Sequence, residues 1–136
     1  MGLNCSHGAF DGAYSAFDRF RRAVVEVFGG SWPPHRPPYE HLSPGDWYYP
    51  DDIDPSLKEG LKLFAQHSDC DGEFTPDECV KVARMMREAA RLMREKEDIE
   101  TQGHLKALGI LMSDVCDRFA AGCEKAANAG ECMEFR

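Results

Sequence analysis

Residues 67–78, His67-Ser68-Asp69-Cys70-Asp71-Gly72-Glu73-Phe74-Thr75-Pro76-Asp77-Glu78, hold the side chains of this chain best equipped for chemistry. Asp69, Asp71 and Glu73 alternate along a turning stretch and Glu78 follows, so their oxygens can point toward one centre. A hard divalent cation takes about six to eight such oxygens. His67, Asp69 and Asp71 alone form a smaller set suited to magnesium or a transition metal. The same residues also serve without metal, Asp71-Gly72 as a tight turn and Thr75 as a helix cap.

A second set lies near the start of the chain. Tyr14, Asp18 and Arg21 follow one another at steps of four and three, hence on one helix face, and His7 precedes that helix. An arginine, a tyrosine and helix-start amides suit a phosphate or carboxylate ligand; in the structural alternative Tyr14 is core and Arg21 is solvated. His7 and His67 with Asp69 and Asp71 would also suffice for metal-assisted phosphoester hydrolysis. No Gly-rich phosphate loop, G-x-S-x-G or H-E-x-x-H occurs, so a binding protein is expected ahead of an enzyme. His35, His41 and His104 are read as surface or packing residues.

The elements that must position these residues are mostly helical. Phe10, Ala13, Tyr14, Phe17, Phe20, Val24 and Phe28 recur at helical spacing, and Gly29-Gly30 supplies a stop, which predicts a first helix over 8–28. Six prolines and five Trp or Tyr residues between 31 and 54 predict an ordered loop wrapped on the helices. Pro34-His35-Arg36-Pro37 fits P-x-x-P but is read as part of that packed loop. Asp54-Pro55 opens a second helix that ends near Gln66, and Thr75 or Pro76 opens a third that runs to about Lys96. Its buried stripe is Val82, Met86, Ala89 and Met93. Arg84, Arg87, Arg91 and Arg94 form a second stripe, either a solvated face with Arg84–Glu88 and Arg91–Glu95 pairs or a docking face for something anionic.

A fourth helix is predicted over 101–128, with Leu105, Leu108, Met112, Val115 and Phe119 at alternating spacings of three and four. Its glycines Gly103, Gly109 and Gly122 signal close helix contact or a broken start. The tail Glu131-Cys132-Met133-Glu134-Phe135-Arg136 and the stretch Gly2-Leu3-Asn4-Cys5 alternate as short strands do. The fold class expected is therefore mainly α, one domain over 1–136, with about four helices, the ordered Pro/aromatic loop and a two-stranded ribbon pairing the N- and C-termini.

The chain has 136 residues, 43% of them hydrophobic, and a net charge of -8. Residues 40–78 carry eleven acids against Lys58 and Lys62, so the surplus is regional. It is either neutralised by a cation or met by the arginine stripe. Such acidity argues against general nucleic-acid binding, which relies on cations neutralising phosphates. No stretch reaches the roughly 18–20 apolar residues of a membrane span, and no signal-peptide core follows the first residues, so a cytoplasmic protein off the membrane is expected. Six cysteines are present without a C-x-x-C pair, and they are read as thiols, with Cys116 and Cys123 on one buried helix face. Met1-Gly2-Leu3-Asn4-Cys5-Ser6 matches the N-myristoylation pattern, but no polybasic cluster supports it.

Two resemblances complete the reading. Residues 67–78 resemble the EF-hand calcium loop, with Asp69 and Asp71 at its third and fifth positions, Gly72 at the sixth, Glu73 at the seventh, Phe74 at the eighth and Glu78 at the twelfth. His67 replaces the usual first-position aspartate, and no second such loop occurs. The resemblance implies a single degenerate EF-hand-like site and a divalent cation, calcium ahead of zinc or magnesium. Ser6-His7, Ala13-Tyr14-Ser15-Ala16-Phe17 and His67-Ser68-Asp69-Cys70-Asp71-Gly72 together resemble a family of small bacteriophage and prophage proteins. That implies a non-catalytic accessory protein of a host bacterial cytoplasm, with a small anionic ligand or a host protein as partner. One such role is sequestering a nucleotide signal of host defence, and no reaction is implied.

Overall fold

The computed structural model of the protein describes residues 2–31 and 48–136. The Pro/aromatic loop falls outside the described residues from 32 to 47, together with its P-x-x-P stretch, His35 and His41. In chain order the elements are β1 (Gly2–Cys5), a 3-10 turn (Ser6–Gly8), β2 (Phe10–Ala13), α1 (Tyr14–Val27), α2 (Pro55–Ala65), β3 (Glu73–Phe74), α3 (Pro76–Glu95), α4 (His104–Ala107), α5 (Met112–Ala129) and β4 (Met133–Glu134).

Helix starts follow their capping chemistry. The Asp54 carboxylate accepts the Ser56 N–H at 2.9 Å, and Pro55 sits where no donor is needed. At α3 the Thr75 hydroxyl accepts the Glu78 N–H at 3.3 Å while the Glu78 carboxylate accepts the Thr75 N–H at 2.9 Å, a reciprocal pair that satisfies two end groups. Helix α1 stops as its glycines require: Gly29 takes φ 86°, and the Gly30 N–H closes on the Val25 carbonyl at 3.1 Å.

Two expectations need correction. The first helix begins at Tyr14, because Phe10–Ala13 is spent as a strand antiparallel to Gly2–Cys5, with Cys5 opposite Phe10. Phe10 thus reaches the core from a strand, and Ala13 is exposed. The fourth helix is two helices. Gly103 and Gly109 take φ 63° and 74°, which a continuous helix forbids, so α4 is a single turn between them and Leu108 is 61% exposed. Gly122 answers to close contact: a Cβ placed there would lie 2.5 Å from Ala9 Cβ, so the N-terminal turn rests directly on α5.

The two chain ends pair. The Asn4 N–H donates to the Arg136 carbonyl at 3.0 Å, the Arg136 N–H returns to Asn4 at 2.9 Å, and Cys5 lies opposite Phe135. Each end has a further partner as well. β1 pairs with β2, and β4 pairs with β3 from the acidic turn, Phe74 opposite Met133.

The core is a cluster of phenylalanines. Phe10, Phe17, Phe20, Phe64, Phe74, Phe119 and Phe135 are buried, and neighbouring rings lie 5.1–6.0 Å apart, mostly edge to face. On α3 the stripe Val82, Met86, Ala89 and Met93 is buried against α5, where Cys116 and Cys123 are buried free thiols.

Two arginines of the stripe, Arg87 and Arg94, tie α3 to α5. Arg87 bonds Asp117 at 3.0 Å and Glu124 at 2.5 Å, Arg94 bonds Asp117 at 2.6 Å, and Arg91 bonds Glu88 and Glu95 on its own helix. These partners lie outside the acidic segment. That segment supplies instead Glu59 to Lys81 at 2.7 Å and Asp51 to Lys58 at 4.0 Å, while Arg84 adds a weak attraction on Asp54. Among the described residues no helix is long and apolar enough to cross a membrane.

Candidate functional site

The tight connection between β1 and β2 forces the backbone into an uncommon shape. His7 takes φ 60°, the one non-glycine residue with positive φ among the described residues, and Gly8 follows at 73°. Left-handed backbone costs a side-chain-bearing residue about 1–2 kcal/mol. Strain of this kind persists where neighbours over-determine it, and here both ring nitrogens are tied. The Ser6 hydroxyl meets His7 Nδ1 at 2.8 Å, and His7 Nε2 meets the Glu131 carboxylate at 3.2 Å.

The hydrogen-bond network assigns the protons. Ser6 Oγ accepts the Glu134 N–H at 2.8 Å, which leaves its own hydrogen for Nδ1. The ring proton then sits on Nε2 and is donated to Glu131. Ser6 Oγ is engaged on both sides, in the role of a brace instead of an attacking group.

His7 stands on the wall of a pocket of about 720 Å³ formed by both ends of the chain, with Ser6, Asp11, Arg118, Glu131 and Arg136 around it. Arg118 Nε donates to the Gly8 carbonyl at 2.9 Å, which pins the strained turn to α5. Arg136 is bonded to the Glu134 carboxylate. Arg118 lines the pocket beside Asp11, Glu131 and Glu134, yet among the described residues it has no carboxylate at ion-pair distance. On the wall, burial pushes the Cys5 thiol up to about 12, and a hydrogen bond with Glu73 is the main force that takes Cys132 up to about 11.

Of the three residues expected to bind a ligand, the fold brings His7 alone to this pocket. Tyr14 is half-buried against the core. Arg21 is only 8% exposed and stacks its guanidinium over the Phe17 ring at 4.9 Å. Burial pulls the Arg21 guanidinium down, against the attraction of Asp69 and Asp18. Sequence reasoning missed Arg118, Glu131 and Arg136. The signal that could have found them was the pairing of the two ends, which places 118 and 131–136 beside His7.

The acidic turn is arranged around packing and capping. The His67 ring stacks on Phe135 at 4.1 Å and Phe74 at 4.7 Å between centroids, and its Nδ1–H donates to the Ser68 carbonyl at 2.8 Å. Gly72, at φ 96°, lies so close that a Cβ there would meet His67 Cε1 at 3.0 Å. The Glu78 carboxylate is turned back into the α3 cap, Glu73 pairs in β3, and Asp69 and Asp71 are exposed. Among the described residues no group of three or more His, Cys, Asp or Glu side chains gathers to hold a metal ion. The strand edge at Phe74, which a second loop of this kind would cover, is occupied by β4.

No protein-family model, no curated protein and no solved structure matches this chain, so the site is read from its own geometry.

Proposed function

We propose that this is a non-catalytic ligand-binding protein whose site is the pocket formed by the two chain ends, and whose ligand is a small anion-bearing molecule of about nucleotide size. One observation carries the reading. Arg118, fixed through Nε to the turn that holds His7, lines the pocket and makes no ion pair among the described residues. A guanidinium with a free edge suits a phosphate or carboxylate group. The pocket volume lies within the range that small-molecule sites occupy, about 300–1,000 Å³. Asp11 on the same wall offers an acceptor to a donor group of the ligand. The resemblance to phage accessory proteins supplies the setting, capture of a nucleotide signal or host factor in a bacterial cytoplasm.

The test is a melting screen of the full chain against cyclic and linear nucleotides, followed by calorimetry on any hit. A ligand held only by the folded state raises the midpoint. Arg118→Gln should weaken binding on the order of ten- to a hundredfold, the worth of one charge-assisted hydrogen bond, while Lys125→Gln on the outer face of α5 should not. A flat screen, or a hit that Arg118→Gln leaves intact, would sink the assignment.

A further inference from the structure

A second ionic feature lies on α1, apart from the terminal pocket. The Nε and Nη2 atoms of Arg21 are buried and have no hydrogen-bond partner. These two nitrogens form the side edge of the guanidinium, whose parallel N–H bonds match the two oxygens of a carboxylate or phosphate. Phe17 under the guanidinium fixes its plane. Tyr49 Oη, within electrostatic range of Arg21, is also buried without a hydrogen bond of ordinary geometry, the Gln66 side chain being a polar neighbour at the edge of reach. The Lys62 ammonium lies 5.7 Å from the Tyr49 ring centroid and has no carboxylate at ion-pair distance among the described residues. Of the two acids that attract Arg21, Asp18 is engaged with Arg22 at 3.8 Å, and neither it nor Asp69 reaches Arg21 itself.

Buried polar groups are hydrogen-bonded in the large majority of cases, and an orphaned one calls for an ion or water that completes it. Here every orphan is a donor, two of them lie on a cation, and a further cation stands nearby without a counter-charge. Water would satisfy the donors and leave the charge. An anion with several lone pairs satisfies both.

We propose that Arg21 and Tyr49 bind one small oxyanion, of the size of inorganic phosphate or acetate, with Lys62 contributing charge from the rim. The source is a free ion, because an edge withdrawn from solvent leaves no exit for a bulky substituent. Melting of the full chain should show a rise of about 5–10 °C at a hundredfold excess of inorganic phosphate over its Kd, and sodium chloride at equal ionic strength should show none. Acetate in a third arm decides between a tetrahedral and a planar anion. The Nε–H resonance of Arg21, assigned by its loss in Arg21→Lys, should move downfield as phosphate or acetate saturates. Tyr49→Phe should lower the affinity at least fivefold, and this variant keeps the test open should Arg21→Lys fold poorly. The proposal is overturned by a resonance and a midpoint that respond to neither anion, or by a resonance already hydrogen-bonded without anion that Asp69→Asn releases, which would assign Arg21 to the chain's own carboxylate.

Discussion

Gly122→Ala sets two effects of opposite sign against each other. In an exposed helix interior, alanine in place of glycine stabilises by about 1 kcal/mol. At Gly122 the new methyl would stand 2.5 Å from Ala9 Cβ, 2.7 Å from Ala9 Cα and 2.9 Å from Ala9 N. Two of those three atoms are backbone, in a turn held by Arg118 on the Gly8 carbonyl and by Ser6 on the Glu134 N–H, so no rotamer change relieves the overlap. Overpacking of this kind costs about 1–3 kcal/mol, and contact with an anchored backbone belongs at the upper end. The net expectation is a loss of about 1–2 kcal/mol, which for a chain of this length is a fall of about 4–7 °C in the melting midpoint. Circular dichroism melts of the two proteins side by side measure it. Ala9→Gly added to Gly122→Ala removes one of the three contacts and should recover only part of the loss. A variant that melts at or above the parent temperature would refute the claim that the N-terminal turn rests on α5.

Other consequences are simpler to check. Asp117 is shared by Arg87 and Arg94 but is partly exposed, so Asp117→Ala should cost less than about 1 kcal/mol, and high salt should shrink the difference from the parent; an equal deficit in high salt would contradict a screened surface clamp. Alkylation of the native protein should give one rapid adduct, at exposed Cys70, since Cys5, Cys79, Cys116 and Cys123 are buried and Cys132 is held up to about 11; a second fast adduct in the intact mass would count against this packing. Hydrogen bonds from Ser56 hold the Asp54 carboxyl below its ordinary value, and those from Arg91 do the same for Glu88. Their contribution is therefore present above the ordinary carboxylate range and is lost as pH falls below about 5. Asp54→Asn keeps a capping oxygen but should flatten part of that acid slope, and an unchanged slope would remove Asp54 from the account.

Much of the fold could be read from local chemistry, because caps and glycines act within a few residues. Asp54-Pro55, Thr75-Pro76 and Gly29-Gly30 marked helix ends that the fold uses, and the α3 stripe is buried as its spacing requires. The errors arose where a tertiary partner decides. Phe10–Ala13 has helical spacing yet becomes a strand, because β1 lies beside it and supplies its hydrogen bonds. The site was less legible. His7 was found by type, but Arg118 and Glu131 join it only through the pairing of the chain ends, which no local spacing records. Arg21 shares a helical face with Tyr14 in sequence, and the burial that separates their roles comes from packing on Phe17.

The phenylalanine cluster bears on how the chain acquires its shape. Its seven rings come from β2, α1, α2, β3, α5 and the residue after β4, so no single element buries its own ring. Joining Phe10 to Phe135 requires closure over nearly the whole chain, and contacts of such long sequence separation slow folding and tie it into one event. Amides in α1, α2 and α5 beside these rings should therefore exchange with solvent at a common rate set by global unfolding, while the single turn of α4, which adds no ring, opens on its own.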